Sequence, residues 1–363
     1  MVPATRGQPD HPFLRHAFFR ALEESGSATP ETGWHPRHVL LTRENQPVGL
    51  LPLYLKTHSM GEYVFDHAWA DAFDRAGGRY YPKLQSSIPF TPVTAPHLLV
   101  PSGNVSIQKA LLDTAVRMAS EHGISSIHAT FVSPEEERLA EQAGWLTRRD
   151  IQFHWQNRNY SDFEDFLSSL ASRKRKAIRR ERQRAVQDGI SIHWFHGPEI
   201  TETLWDHFFE FYQDTGARKW GSPYLTRSFF SRISAAMPQS TSLVMARQEG
   251  RYIAGALNFS SSSTLYGRYW GCNRNVPFLH FELCYYQAIE HAIAHGLQRV
   301  EAGAQGPHKL ARGYEATTTR SIHWLANPSL HDAVKNCLEQ EREAVARDQE
   351  ALDRASPFRK LQP

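Results

Sequence analysis

Apolar and polar positions alternate along the chain with two periods, and the switches between them mark the elements. Residues 11–25 have helical spacing, with Phe13, Leu14, Ala17, Phe18 and Leu22 on one face. Residues 39–41 and 48–55 read as strands, joined by a polar turn at 44–47. A long irregular stretch, 58–96, follows, rich in aromatic, charged and proline residues, as in functional loops and lids. The pattern then predicts a helix at 106–122, a strand at 124–131, a helix at 134–142 and a strand at 151–155. A long helix is predicted over 161–188, with Ser161 and Glu164 at capping-box spacing and Gly189 at its stop. A helix at 202–212 and an aromatic piece at 220–230 lead to a three-strand meander at 242–246, 252–259 and 264–270. A helix at 280–295, a strand at 297–300, a loop at 301–314, a strand at 321–325 and a helix at 330–352 complete the chain.

The order repeats. An apolar strand, Arg43, a polar turn and Val48-Gly49 correspond to a strand, Arg247, a turn and Ile253-Ala254-Gly255. A helix and a strand follow in each copy. Each copy then closes on a glycine, an aromatic residue and a His-Trp pair: Gly144-Trp145 with His154-Trp155, and Gly313-Tyr314 with His323-Trp324. The interval from glycine to tryptophan is eleven residues in both. The first copy is longer, by about the length of the irregular stretch. A shared order of elements at a fixed spacing is the mark of duplication.

Bulk composition narrows the class without naming it. The chain has 363 residues, 40% of them apolar and 22% charged, enough for two or three domains. No apolar run is long enough to span a bilayer and no signal-peptide core opens the chain, so the expectation is a cytoplasmic protein. Three scattered cysteines, Cys272, Cys284 and Cys337, argue against a disulfide framework or a zinc cluster. His291 and His295 are four apart but have no third ligand in sequence, so no metal is assigned. No Gly-x-Ser-x-Gly elbow occurs, and no cysteine lies beside a base in sequence.

A helix, two or three antiparallel strands, a helix, a strand, a helix and a strand are the order of the Gcn5-related N-acetyltransferase (GNAT) fold. Two such units resemble the Fem-type aminoacyl transferases, which extend peptidoglycan bridges using aminoacyl-tRNA. The fuller resemblance is to a bacterial family called "peptidoglycan biosynthesis/recognition", grouped with the Fem proteins. It is carried by His58-Ser59-Met60-Gly61-Glu62-Tyr63-Val64-Phe65-Asp66, Tyr80-Tyr81-Pro82-Lys83, Pro89-Phe90-Thr91-Pro92-Val93, Gly267-Arg268-Tyr269-Trp270-Gly271-Cys272, His280-Phe281-Glu282-Leu283-Cys284-Tyr285-Tyr286 and the 301–314 loop. It spans roughly residues 11–352. It implies an α/β (α+β) chain of tandem GNAT-like domains, each a mixed, mostly antiparallel sheet flanked by helices. The expected boundaries are 1–157, with the long loop, and 158–363, with the basic helix. The chain lacks a clean Arg/Gln-x-x-Gly-x-Gly diphosphate signature; Gly303-Ala304-Gln305-Gly306 is a loose echo.

Three constellations carry candidate chemistry. Eight cations fall within residues 173–184. Such a strip attracts phosphates, although charge runs are commonly solvated faces. With the Fem resemblance, Arg173, Lys174, Arg175, Lys176, Arg179 and Arg180 are candidates for tRNA contact. The second constellation joins His280 and Glu282, either of which could deprotonate an ammonium, to His308, Lys309 and Arg312 on the glycine-bearing loop, where Lys309 and Arg312 could hold an oxyanion or a phosphate. Arg268, Trp270, Tyr286 and Gln305 are candidate substrate contacts beside them; helix capping and core packing are the plainer readings of His280 and Trp270. In the third, Glu62, Asp66 and Lys83 could grip a polar acceptor or tie the long loop down by ion pairs.

The expected activity is N-acyl transfer from an aminoacyl group, delivered by aminoacyl-tRNA as co-substrate, to an amine on a cell-wall precursor or a small metabolite. Attack would be direct, with one base and neither resident cofactor nor metal. Two alternatives stand beside it: an acyl-CoA-dependent N-acyltransferase, and a non-catalytic protein that binds peptidoglycan or RNA.

Overall fold

A computed structural model describes residues 11–219, 223–304 and 306–359. The first half runs α1 (His16–Glu24), β1 (Trp34–Pro36), β2 (Val39–Arg43), β3 (Gln46–Leu51), β4 (Tyr54–Lys56), α2 (His67–Arg75), β5 (Lys83–Ser86), α3 (Val105–Glu121), β6 (Ser126–Thr130), α4 (Pro134–Gln142) and β7 (Leu146–Gln156). The second runs α5 (Phe163–Ser169), α6 (Ser172–Ala185), β8 (Ser191–His196), α7 (Glu202–Lys219), α8 (Arg227–Ala236), β9 (Thr241–Gln248), β10 (Arg251–Ser260) and β11 (Thr264–Cys272). It continues through α9 (Leu279–Phe281), a π-helical turn (Glu282–Tyr286), α10 (Gln287–Ala294), β12 (Arg299–Glu301), β13 (Glu315–Leu325) and α11 (Pro328–Arg354).

Two compact units emerge, interleaved in sequence. One comprises Gly26–Ile151 and Thr318–Gln349; the other comprises Gln152–Thr317 with residues 11–25 and 350–359. In the first unit the strands pair in the order β1, β4, β5, β6, β13, with β2 and β3 as a separate ribbon. In the second the order is β7, β12, β11, β10, β9, β8. Each unit sets an antiparallel pair beside a parallel one: β4 with β5 then β5 with β6, and β10 with β11 then β11 with β12. The pairing thus repeats between the units, but the repeat sets β4, β5 and β6 against β10, β11 and β12; β2 and β3, matched in the sequence to β9 and β10, form the separate ribbon instead. The strand that closes each half pairs in the other half's unit, β13 with β6 and β7 with β12. The units differ from the contiguous halves 1–157 and 158–363 by this exchange, by α1 and by α11, which lies in the first unit as far as Gln349.

The core of the first unit packs α3 and α4 on the sheet through Leu111, Leu112, Ala115, Leu139 and Trp145. In the second, α7 and α8 bring Trp205, Phe208, Phe211 and Phe230, all fully buried.

Three local expectations are corrected. The single helix over 161–188 is two helices. Leu170 and Ala171 are extended between them, because the chain end returns there: Ala171 N–H donates to Pro357 O at 3.0 Å and Arg359 N–H to Ser169 O at 2.9 Å. Asp162, not Ser161, caps α5 by accepting from Asp165 N–H at 2.7 Å. The irregular stretch 58–96 contains α2, whose apolar face is only Trp69, Ala70 and Phe73, too sparse a stripe to read from sequence.

Gly271 tests the packing of α7 on β11, since a Cβ there would meet Phe211 O at 2.2 Å. Gly271→Ala is expected to cost about 1–3 kcal/mol, as overpacking against backbone does, read as a lower thermal midpoint; an unchanged midpoint would contradict this packing.

Candidate functional site

In the second unit, β11 and β12 run parallel for three pairs, ending at Tyr266 opposite Glu301. Beyond it β11 continues along β10, while the other chain turns into the 302–314 loop. A notch opens where the two part. A bulge shapes its wall: Leu257 pairs with Tyr269 and Asn258 with Gly267, leaving Arg268 as the extra residue. The notch holds a cavity of about 90 Å³ lined by Asn258, Arg268, Trp270, His280, Cys284 and Tyr285 among others, with Ala302 at its edge. Tyr269, Trp270, His280 and Tyr285 bring rings to the wall. His280 lies edge-on to Trp270 at 5.2 Å and to Tyr285 at 5.4 Å between centroids, and Phe281 stacks on Tyr285 at 5.8 Å. The Tyr285 hydroxyl is 2.9 Å from His308 Nε2.

The loop is shaped for this return. Gly306 has φ of +125°, and a Cβ there would collide with the His308 ring at 2.5 Å. Pro307–Arg312 forms a short 3-10 helix, and Lys309 Nζ donates back to Gly303 O at 2.9 Å. Lys309 is only 1% exposed. Burial, reinforced by the positive charge of Arg268, lowers its pKa to about 7, against a smaller opposing pull from Cys284. Arg268 Nη2 stands 3.7 Å from Glu301, and its guanidinium lies over the Phe13 and Tyr266 rings.

The remaining candidates here are tied to α6. Glu282 accepts from Arg182 through Nε and Nη2 at 2.9–3.2 Å and from Gln287 at 2.9 Å. Its carboxylate is thus filled by donors and does not line the notch. Arg312 donates to His308 O at 2.8 Å and to Glu181 at 2.9 Å, with its guanidinium 3.5 Å from the Phe281 ring centre. Tyr286 donates to the same Glu181. Burial holds the Tyr286 hydroxyl far above its ordinary pKa despite Arg312 nearby. Gln305 lies outside the described residues.

Glu62, Asp66 and Lys83 meet in the interior of the first unit. Lys83 Nζ donates to Ser59 Oγ at 2.7 Å, to Glu62 at 2.7 Å and to Asp66 at 2.5 Å. Tyr80 donates to Asp66 at 2.7 Å, and its hydroxyl is 3.2 Å from His128 Nε2; His128 Nδ1 lies 2.7 Å from His323 Nδ1. Lys56 adds a second buried amine 3.8 Å from Glu62, over the Trp34 ring, and burial lowers its pKa to about 7 against the pull of Glu62. Burial raises Glu62 to about 7 and lowers His128 to about 3. Burial opposes the ionisation of Asp66 as well, yet Lys83 and then His128 hold it well below the usual carboxylate range. The place matching the second unit's notch is closed. Residues 87–100 are buried almost throughout, and Ala95 N–H donates to Phe131 O, just past β6, at 3.0 Å. The remaining void beside Ser86, His97 and Glu136 is about 10 Å³, no more than one water molecule's space.

The sequence profile of the FemAB-like family, described as peptidoglycan biosynthesis/recognition, matches residues 4–360. This chain belongs to the FemAB-like family. No curated protein matches it in sequence. Among solved structures, FemX is 14% identical with a TM-score of 0.53, over 85% of this chain and 92% of that one. L-PGS from Bacillus licheniformis is 10% identical with a TM-score of 0.54, over 92% and 98%. The C-terminal domain of a putative lysylphosphatidylglycerol synthetase from Agrobacterium fabrum is 9% identical with a TM-score of 0.52, over 89% and 96%. At these identities the likeness is one of fold, and it agrees with the tandem GNAT-like architecture read from the sequence. Among the described residues no helix is long and apolar enough to cross a membrane.

In this FemAB-like chain the basic helix has two characters. Its second half is structural: Arg182 binds Glu282 and Glu290, and Arg179 binds Glu164. Arg173, Lys174, Arg175, Lys176 and Arg180 are exposed or half-buried, with no acidic partner among the described residues. His291 and His295 stack on each other at 4.0 Å, and His291 stacks on Trp194 at 4.3 Å. Sequence reasoning grouped Tyr285 with His280 but missed Asn258 and Cys284 in the notch and Lys56, Tyr80, His128 and His323 in the network. The repeated His-Trp spacing did point at His323, but not to its partner His128, 195 residues away.

The buried network should register in stability. Lys83→Met leaves two buried carboxylates without their ammonium and is expected to cost about 3–5 kcal/mol. Because Glu62 is raised in the folded state, the native chain holds a proton that the unfolded chain releases above pH 4.5. Its contribution therefore falls as pH rises from 4.5 towards 7. Buried histidines such as His128 act with the opposite sign over the same range, so the Glu62 term is read as a difference: between pH 5 and pH 7.5 the urea midpoint of Glu62→Gln should gain relative to that of the wild type, and no relative gain would contradict it.

Proposed function

We propose that this protein is an acyltransferase of the FemAB-like family that joins an activated aminoacyl group, carried by tRNA, to an amine, and that the reaction takes place in the notch of the second unit. The observation that carries this reading is Lys309: a lysine buried without a carboxylate partner and lowered to about 7. Amide formation needs an uncharged nitrogen at the carbonyl and a group to take its surplus proton. Lys309 in its neutral form supplies that group near neutral pH. Arg268, in the notch wall, supplies fixed positive charge for the oxyanion that develops on the carbonyl, where low dielectric makes such charge most effective. His280 and Trp270 shape the seat for the acyl group. Glu282 and Arg312 hold α6 against the site rather than touch the reacting atoms.

The five unpaired cations of α6 support a polyanionic donor. The turn from β11 into α9, residues 273–278, contains no glycine, which speaks against the backbone cradle that a CoA diphosphate uses. The family description points to a peptidoglycan precursor as the source of the acceptor amine.

Two measurements test the reading. With charged tRNA as donor, amide formation should rise with pH through about 7 as Lys309 loses its proton. Lys309→Met and Lys309→Arg should each lose about 10²–10⁴-fold in rate, together with that limb; an unaltered limb in either variant would overturn the assignment. Replacing Arg173, Lys174, Lys176 and Arg180 with Gln should flatten the dependence of log affinity for tRNA on log salt by roughly 3. A slope unchanged by these substitutions, or product that forms from acetyl-CoA after ribonuclease treatment, would overturn the donor.

A further inference from the structure

A second hollow in the same unit, about 320 Å³, lies at the C-terminal end of β11, lined by Gln248, Glu249, Arg251, Tyr252, Asn273 and Arg274 among others. That is room for a small ligand or a segment of a larger one. It shares no lining residue with the notch. Asn273 N–H donates to Ile253 O at 3.1 Å, so the β10–β11 ladder runs on past Cys272 and fixes one wall. The turn from β9 into β10 supplies Gln248, Glu249 and Arg251.

The charge of this hollow is lopsided. Arg274 donates to the neutral amide of Gln248 at 2.6 Å. Neither it nor Arg251 has an acidic partner among the described residues, nor has Arg247, whose guanidinium lies 6.0 Å from the Tyr252 ring centre. The Tyr252 hydroxyl and the Asn273 side-chain amide make no hydrogen bond among the described residues. Glu249 is the one carboxylate in the lining, and it is exposed. Arginines on a solvated face point apart; these two line one concavity with neutral donors beside them. Guanidinium forks so placed suit phosphate, whose oxygens accept several N–H bonds at once.

Position narrows the ligand. Arg274 is four residues past Trp270 in the notch wall, on the order of 13 Å along a strand that rises about 3.3 Å per residue. At the other end of the 273–278 turn, Arg184 of α6 lies 5.1 Å from the Phe278 ring centre, and it too has no acidic partner among the described residues. Cations therefore accompany the turn after β11 from the hollow to the basic helix.

We propose that Arg251 and Arg274 form a phosphate site for the single-stranded end of a nucleic-acid donor, an inference that rests on the tRNA-dependent reading. With the donor's ester in the notch, a phosphate a few nucleotides back along the strand occupies the hollow. Both guanidinium groups hold it, with the Asn273 amide and the Tyr252 hydroxyl as further donors. No bond is made or broken there; the site sets how far the strand enters the notch.

The test measures binding of deacylated tRNA to the full chain as salt is varied, with the tRNA intact and with its single-stranded 3′ end removed. For intact tRNA, Arg251→Gln with Arg274→Gln should flatten the slope of log affinity against log salt by roughly 1.4, at about 0.7 per contact with a single strand. For the shortened tRNA the same pair should change nothing. Arg75→Gln with Arg117→Gln, both exposed in the first unit, removes the same charge and should leave the slope alone. An unchanged slope in the first pair, an equal change in the second, or an equal change with shortened tRNA overturns the proposal. If the slope is unchanged while charged tRNA still yields amide, the phosphate site fails and the transfer reading stands. If the slope falls as expected in a protein that forms no amide, the site stands and the transfer reading fails.

Discussion

The parting of β11 from β12 after three parallel pairs is the constraint that shapes the second unit's notch. Parallel strands held together bury each other's edges; strands that separate leave a wedge that side chains or ligand must fill. Here the β10–β11 bulge turns Arg268 into the wedge, the helix that opens at Leu279 brings His280 and Cys284 to it, and the loop after β12 folds back under Lys309. Rigid pieces of strand and helix thus position every side chain that the proposed reaction uses, and only the donor strip on α6 stands apart.

The two units show how one architecture can bury lysines to opposite effect. In the first, Lys83 is held by Glu62 and Asp66, so it is raised and fixed as a cation, and the chain from 87 to 100 closes the wedge. Lys56 beside them is lowered to about 7 by burial, but the whole network is inaccessible, which suits one that anchors the loop preceding α2. In the second, Lys309 is buried against a carbonyl and near another cation, and the wedge stays open. Burial without compensation lowers its proton affinity towards the pH at which a base works. The two units share a wedge; loop length and the placing of acids leave one closed and the other open.

The fold was legible because it was written twice. Turn residues, the period switches and the matched Gly and His-Trp positions located most strands and helices, and the family runs placed them in a tandem GNAT-like order. What the sequence did not reveal follows from distance along the chain. Glu282 and Arg182 are a hundred residues apart, so nothing local shows that the carboxylate is already filled. Cys284 had no base beside it in sequence, and only the folded chain shows it in the wall of the notch with His280 and Arg268. The exchange of β7 and β13 left no local signal, since a strand's pattern records which face is buried and not which neighbour it pairs with. Glu62, Asp66 and Lys83 were grouped correctly, but burial, which decides between gripping a ligand and bracing a loop, is a property of the folded chain.

The central claim is that Lys309, in the loop after β12, is buried with a backbone carbonyl as its acceptor and releases its proton near neutrality. Titration of the lysine side-chain resonances by NMR, in protein labelled at the lysine ε-carbon, tests it most directly. The account predicts that the resonance missing from Lys309→Met titrates near pH 7 in the wild type. A resonance so assigned that titrates near 10.5, as an ordinary lysine does, would contradict it.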